Sequence, residues 1–158
     1  MRLRPTHPAG RRAAAVLEFA AVLPVLLLFV LGIIEYGRLL MVAQVTTSAS
    51  REGARYAVQA ESTPDSVDTY VRTYLTSASI PTDAVAAVAV EQQVPAADAR
   101  YTGQNEGWVA VANLGSVPQG TAVRVRVAIT FSKVSWLPAG VFVPAGRQLA
   151  GTTVMRKE

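Results

Sequence analysis

The sequence predicts an α+β protein built on one long N-terminal transmembrane and stalk helix. A short helix and a three- to four-stranded antiparallel sheet follow. Three observations predict this. Ala13 to Ile34 is almost wholly apolar. At about 22 residues and about 1.5 Å per residue it is long enough to cross a hydrocarbon core of about 30 Å. No proline falls between Pro24 and Pro64, so the helix is free to continue past the membrane. After Pro81 the hydrophobic period changes from helical to two.

The segment 1–12, MRLRPTHPAGRR, reads as a basic tail without regular structure, broken by Pro5, Pro8 and Gly10. Arg2, Arg4, Arg11 and Arg12 precede the apolar run and no acidic residue does. That asymmetry predicts a cytoplasmic tail, with the rest of the chain beyond residue 35 on the far side of the membrane. The transmembrane helix is placed at 13–35. A cleaved secretory signal is disfavoured, although Ser48-Ala49-Ser50 offers small residues. The apolar run exceeds the usual signal length of about 7–15 residues and contains Glu18.

Residues 36–60 read as a helical stalk. Leu39, Val42, Val45, Ala49 and Glu52 keep helical spacing, and Ser48, Ala49, Ser50, Gly53 and Ala54 are small. Small residues allow close helix packing. Gly53 and Ala54 are therefore candidate packing positions, either on the chain's own domain or against sister subunits. The outer domain covers 61–158. Thr63-Pro64-Asp65 is a helix start, and Val67, Tyr70, Val71, Tyr74 and Leu75 make one apolar stripe, with the tyrosines assigned to the core. Strands are expected at Ala84–Val94, Trp108–Leu114, Thr121–Ser132 and Arg147–Arg156. In the third, Val123, Val125, Val127, Ile129 and Phe131 share one face, while Arg124 and Arg126 lie on the other. The connection Lys133–Gly146, with Trp136, Leu137 and Phe142, is expected to pack on the domain.

Composition narrows the function classes. The chain has 158 residues, a net charge of +4, no cysteine and one histidine, His7. Disulfides, a thiolate nucleophile and cysteine-ligated zinc are excluded, and a metal cluster of several histidines cannot be built from His7 alone. No phosphate loop, dinucleotide fingerprint or zinc-protease motif occurs. Neither an enzyme nor a cofactor is predicted. Asp65, Asp68, Asp83, Asp98 and Glu106 are expected to be solvated, as are Arg124 and Arg126. The basic excess reads as a topology signal, so the predicted partner is a lipid bilayer and not nucleic acid.

Glu18 stands apart. A carboxylate inside an apolar helix costs up to about 3 kcal/mol at mid-bilayer and calls for a partner. The candidates are Arg11 and Arg12, by snorkelling, or a free α-amino group on a neighbouring subunit. Glu35 closes the run as a second acid at its edge.

Taken in order, Arg11-Arg12-Ala13-Ala14-Ala15-Val16-Leu17-Glu18-Phe19, Pro24, Gly32-Ile33-Ile34-Glu35-Tyr36-Gly37-Arg38 and Arg51-Glu52-Gly53-Ala54-Arg55 resemble the N-terminus of TadE-like proteins of the tight adherence (Flp) pilus system. The strand Val123 to Phe131 and the closing Met155-Arg156-Lys157-Glu158 are similar as well. The resemblance implies a pilin-like minor subunit (pseudopilin) or assembly factor of a type IVb pilus secretion system. It would be anchored in the cytoplasmic (inner) membrane and work with other pilin-like subunits and the secretion machinery. It further implies a prepilin peptidase cutting between Ala13 and Ala14, which makes Glu18 the fifth mature residue. Alanine stands here where such sites usually carry glycine. A different class of function, a bitopic protein whose outer domain is an adhesin or a ligand-binding sensor, is the alternative, and under it Glu18 is dispensable.

Overall fold

A computed structural model describes residues 9–59, 62–102, 104, 106–138 and 140–157, with side chains from residue 13 onward. Arg2 and Arg4 lie outside the described residues, and so do the side chains of Arg11 and Arg12. The chain divides into two compact units, Met1–Gly37 and Arg38–Glu158. One helix, α1 (Ala9–Ala57), contributes to both.

In the first unit α1 runs through Pro24 without ending. Proline removes one backbone donor and one turn-closing bond, and the apolar residues on both sides sustain the helix. A helix is also the form in which a single segment satisfies its own backbone in lipid.

The second unit is a two-layer α+β domain. Its helices are the remainder of α1 and α2 (Pro64–Ser77). Its sheet contains β1 (Val85–Gln93), β2 (Trp108–Ala110), β3 (Ala122–Thr130) and β4 (Gln148–Arg156), in the order β2-β1-β3-β4 and antiparallel throughout. An extra residue in β1 shifts its register against β3 between Val85 and Ala87.

Helix α2 begins as its sequence predicts. The Ser66 amide donates to Thr63 Oγ1 at 3.1 Å and the Thr63 amide donates to Ser66 Oγ at 2.9 Å, a capping box with Pro64 in the first turn. Val67, Val71 and Leu75 are its buried residues. That stripe is narrower than expected. Tyr70 is exposed and stacks on Tyr56 of α1, with centroids 4.8 Å apart and planes 5° from parallel. Tyr74 is half-buried against the core. The i, i+4, i+8 residues point at the sheet, and the tyrosines flank them.

The alternation expected in β3 is present. Val123, Val125, Val127 and Ile129 are fully buried, and Phe131 follows in a short 3-10 turn, Phe131–Lys133. They meet Val42, Ala49, Ala54 and Ala57 of α1 and the apolar stripe of α2 in one core. The connection to β4 divides. Val134 is buried and Val143 partly so, but Trp136, Val141 and Phe142 are exposed, contrary to the expectation that this segment packs on the domain.

Helix α1 approaches β4 at backbone distance. A Cβ on Gly151 would lie 2.5 Å from the Thr46 carbonyl oxygen and 2.9 Å from Thr47 Cα. Beside this contact Ser50 Oγ and Thr153 Oγ1 share a hydrogen bond of 2.8 Å. At Gly53 an added Cβ would sit 2.6 Å from Val71 Cγ2 and 3.2 Å from Val125 Cγ1. The buried Thr46 and Ser50 hydroxyls donate to the Val42 and Thr47 carbonyls, so neither is stranded. Gly151→Ala must push α1 away from the sheet and is expected to cost about 1–3 kcal/mol. Thermal unfolding of the full chain in detergent measures it. Gly146→Ala is the control, because its Cβ meets nothing within 4 Å, and should stay within about 0.5 kcal/mol. Equal losses for the two variants would refute the close-contact account.

Candidate functional site

From Ala13 to Val30 every residue of α1 is exposed. The large apolar side chains from Val16 to Ile34 with substantial exposure range from 45% to 74%. Apolar surface on all sides of a helix requires an apolar solvent. The helix has the length and composition to cross a membrane once, and serves as a single-pass anchor.

Glu18 is exposed within this apolar surface. Among the described residues no ion pair reaches it. The side chains of Arg11 and Arg12, one of its two candidate partners, lie outside the description. Ala13 and Ala14 stand inside α1, so the expected scissile bond lies within a helix. Glu35 behaves differently from Glu18: it is 3% exposed. The structure does not bring these two acids together, since 17 positions of one helix separate them, about 25 Å at helical rise.

Gly53 and Ala54 are buried in the second unit, Gly53 against α2 and β3. In this structure they serve docking on the chain's own domain. The neighbouring charges of Arg51-Glu52-Gly53-Ala54-Arg55 turn outward, and Arg55 pairs with Glu52 at 3.7 Å across one helical turn, an exposed and weak pair. Small residues face in and charges face out, so one short stretch seats the helix and solvates its back.

Arg124 is not simply a solvated face residue. Its Nη2 lies 2.5 Å from Glu91 Oε2 on the adjacent strand and its guanidinium stacks 4.4 Å from the Trp108 ring. The pairing follows from register, because Glu91 and Arg124 are direct cross-strand partners. Arg126 remains exposed. Other carboxylates are also matched with bases: Asp68 with Arg72 at 2.8 Å, Asp98 with Arg100 at 2.8 Å, and Asp83 with Lys133 at 3.7 Å. The Arg100 hydrogen bonds hold the Asp98 carboxyl down to about 2. Any stability this pair adds is present above the ordinary carboxylate range and is lost as pH falls through about 2. Among the described residues no three metal-ligating side chains gather at one point.

A second engaged arginine escaped the sequence reading. Arg38 Nε donates to the Val134 carbonyl, and its guanidinium lies 4.6 Å from the Trp136 ring centroid. Nothing in sequence spacing relates these residues, 96 positions apart for the hydrogen bond. Gly151 was missed too, although a lone glycine inside a strand is a known sign of close backbone approach.

Residues 13–55 match the model of the family described as TadE-like protein. The matched segment runs from the start of the apolar surface to the end of the outward-facing charge cluster at Arg55. Over this stretch the chain is similar to membrane proteins associated with the tight adherence pilus. No curated protein and no solved structure matches the chain.

Removing the Arg124 side chain is expected to cost about 1 kcal/mol, from loss of the cross-strand pair and the ring contact. Arg126→Ala is expected to fall within about 0.5 kcal/mol. Denaturant unfolding of both variants of the full chain distinguishes a paired arginine from a solvated one. Equal and negligible effects would show that the pair contributes nothing.

Proposed function

We propose that this chain is a pilin-like minor subunit or assembly factor of a tight adherence (Flp, type IVb) pilus system. It acts without catalysis, anchored by α1 in the cytoplasmic (inner) membrane, with the basic tail cytoplasmic and the α+β domain outside. The observation that carries the proposal is the coincidence of the TadE-like match at 13–55 with a bare apolar helix that holds an exposed acid, Glu18. The same reading divides the chain at 1–12, 13–35, 36–60 and 61–158.

The physical step is pairing in a low dielectric. A carboxylate at that depth is stabilised by a positive group that is also in the membrane. If a prepilin peptidase cuts between Ala13 and Ala14, it creates such a group, the α-amine of Ala14. Carried on a neighbouring subunit, that amine offers Glu18 a charge-assisted contact that also sets the register between helices. The partners are then other pilin-like subunits, the pilus secretion machinery and the peptidase.

Glu18→Ala should lower the number of assembled pili by about tenfold or more, the loss expected for a pairing worth about 1.5–3 kcal/mol, while membrane insertion is retained. Pilus counts by electron microscopy, beside fractionation of the variant, measure both. Wild-type pilus numbers with Glu18→Ala would sink the subunit-contact role. N-terminal sequencing of the protein from membranes addresses processing. A sequence beginning at Ala14 is expected, and an intact tail carrying Arg2 counts against cleavage.

A further inference from the structure

The loop between β3 and β4 carries the barest apolar side chains of the second unit. Trp136 is 71% and Val141 57% exposed, and Phe142, next to Val141 in the chain, is 41% exposed. The tip is held in a turn, with the Gly140 amide donating to the Val143 carbonyl at 3.0 Å and the Val141 amide to the Pro138 carbonyl at 3.4 Å. Gly140 has a φ of 96°, which suits glycine. The turn presents Val141 and Phe142 to solvent instead of to the core.

The loop is fastened to the residue where the domain begins. Arg38 is the first residue of the second unit, and it holds both the Val134 carbonyl and the Trp136 ring. Arg38 also follows Ile34, the last residue of the apolar run, by four positions of one helix. Four residues of helix rise about 6 Å, and the headgroup layer on each side of a hydrocarbon core is about 5–7 Å deep. Arg38 is therefore at headgroup level when Ile34 is at the hydrocarbon edge. Tyr36, exposed between them, is the kind of residue that marks this level. Lys133 and Arg147 flank the loop and are exposed, and Lys133 also meets Asp83 at 3.7 Å. Exposed aromatic and aliphatic side chains in a loop that has basic residues at its two ends suit an anionic lipid surface.

We infer that the described residues of the β3–β4 loop, 134–138 and 140–146, form a membrane-docking element. Trp136, Val141 and Phe142 enter the headgroup layer of the bilayer that α1 crosses, with Arg38 bridging indole and lipid phosphate. The inference rests on α1 spanning the membrane. A second copy of the chain covering the same loop is the competing occupant.

The sequence has two tryptophans, so Trp108→Phe leaves Trp136 as the sole indole. The full-length variant is reconstituted in phosphatidylcholine–phosphatidylglycerol vesicles, and alkaline extraction tests integration. Lipids brominated near the headgroup should quench Trp136 more than deeply brominated ones, and acrylamide quenching should fall at least about twofold relative to free tryptophan amide. The Trp136→Phe variant, reporting Trp108, should show no lipid quenching. A chain removed by alkali overturns the anchor and the docking together. A retained chain whose Trp136 is open to acrylamide and unquenched by lipid overturns the docking alone. Protection from acrylamide that disappears on tenfold dilution into lipid assigns the loop to a second copy and also overturns it.

Discussion

The domain depends on one close approach, that of the α1 backbone to β4 at Gly151. The Thr46 carbonyl occupies the space a side chain would need. Several buried positions of α1 that pack on the domain are small or have satisfied hydroxyls. Gly53 admits Val71 and Val125, Ala49, Ala54 and Ala57 are fully buried, and the Thr46 and Ser50 hydroxyls bond to their own helix. Larger residues would lift the helix and expose the valines of β3 to water, at about 25 cal/mol for each Å² uncovered.

The same helix meets two solvents, and its composition changes accordingly. Up to Ile34 it is apolar on every side, which suits lipid and gives no preferred facing. From Arg38 onward burial falls on one side only, and charged residues such as Arg51 and Arg55 occupy the other. Helices in lipid associate through polar groups and close packing, because lipid tails are as apolar as leucine. In the second part water supplies the driving force. Glu18 is a polar group within that apolar surface.

Among the described residues, much of the charge of the second unit beyond α1 is paired. Arg124 with Glu91, Arg72 with Asp68, Arg100 with Asp98 and Lys133 with Asp83 each cancel locally. Such a surface does not form the large one-signed field that steers phosphate polymers. The basic excess of the chain is concentrated instead in the arginines ahead of the apolar run. The proposed function, by anchoring and contact, agrees with this distribution and with the similarity of residues 13–55 to TadE-like proteins.

Local signals carried most of the architecture. An apolar run of membrane length, the Thr63-Pro64 cap, the period change after Pro81 and the alternation in Val123–Phe131 each act over a few residues, so reading them requires no partner. They yielded the long helix, the short helix and the antiparallel strands, and they singled out Glu18, whose anomaly is visible against its neighbours alone. Tertiary structure decided what depends on distant chain segments meeting. It chose strand order and the Glu91–Arg124 register, turned Tyr70 outward onto Tyr56, and buried Thr46 and Ser50. It also left Trp136 bare beneath Arg38. Sequence spacing carries no information on such pairs, because the free energy that selects them comes from filling one shared core, where each segment's place is set by all the others.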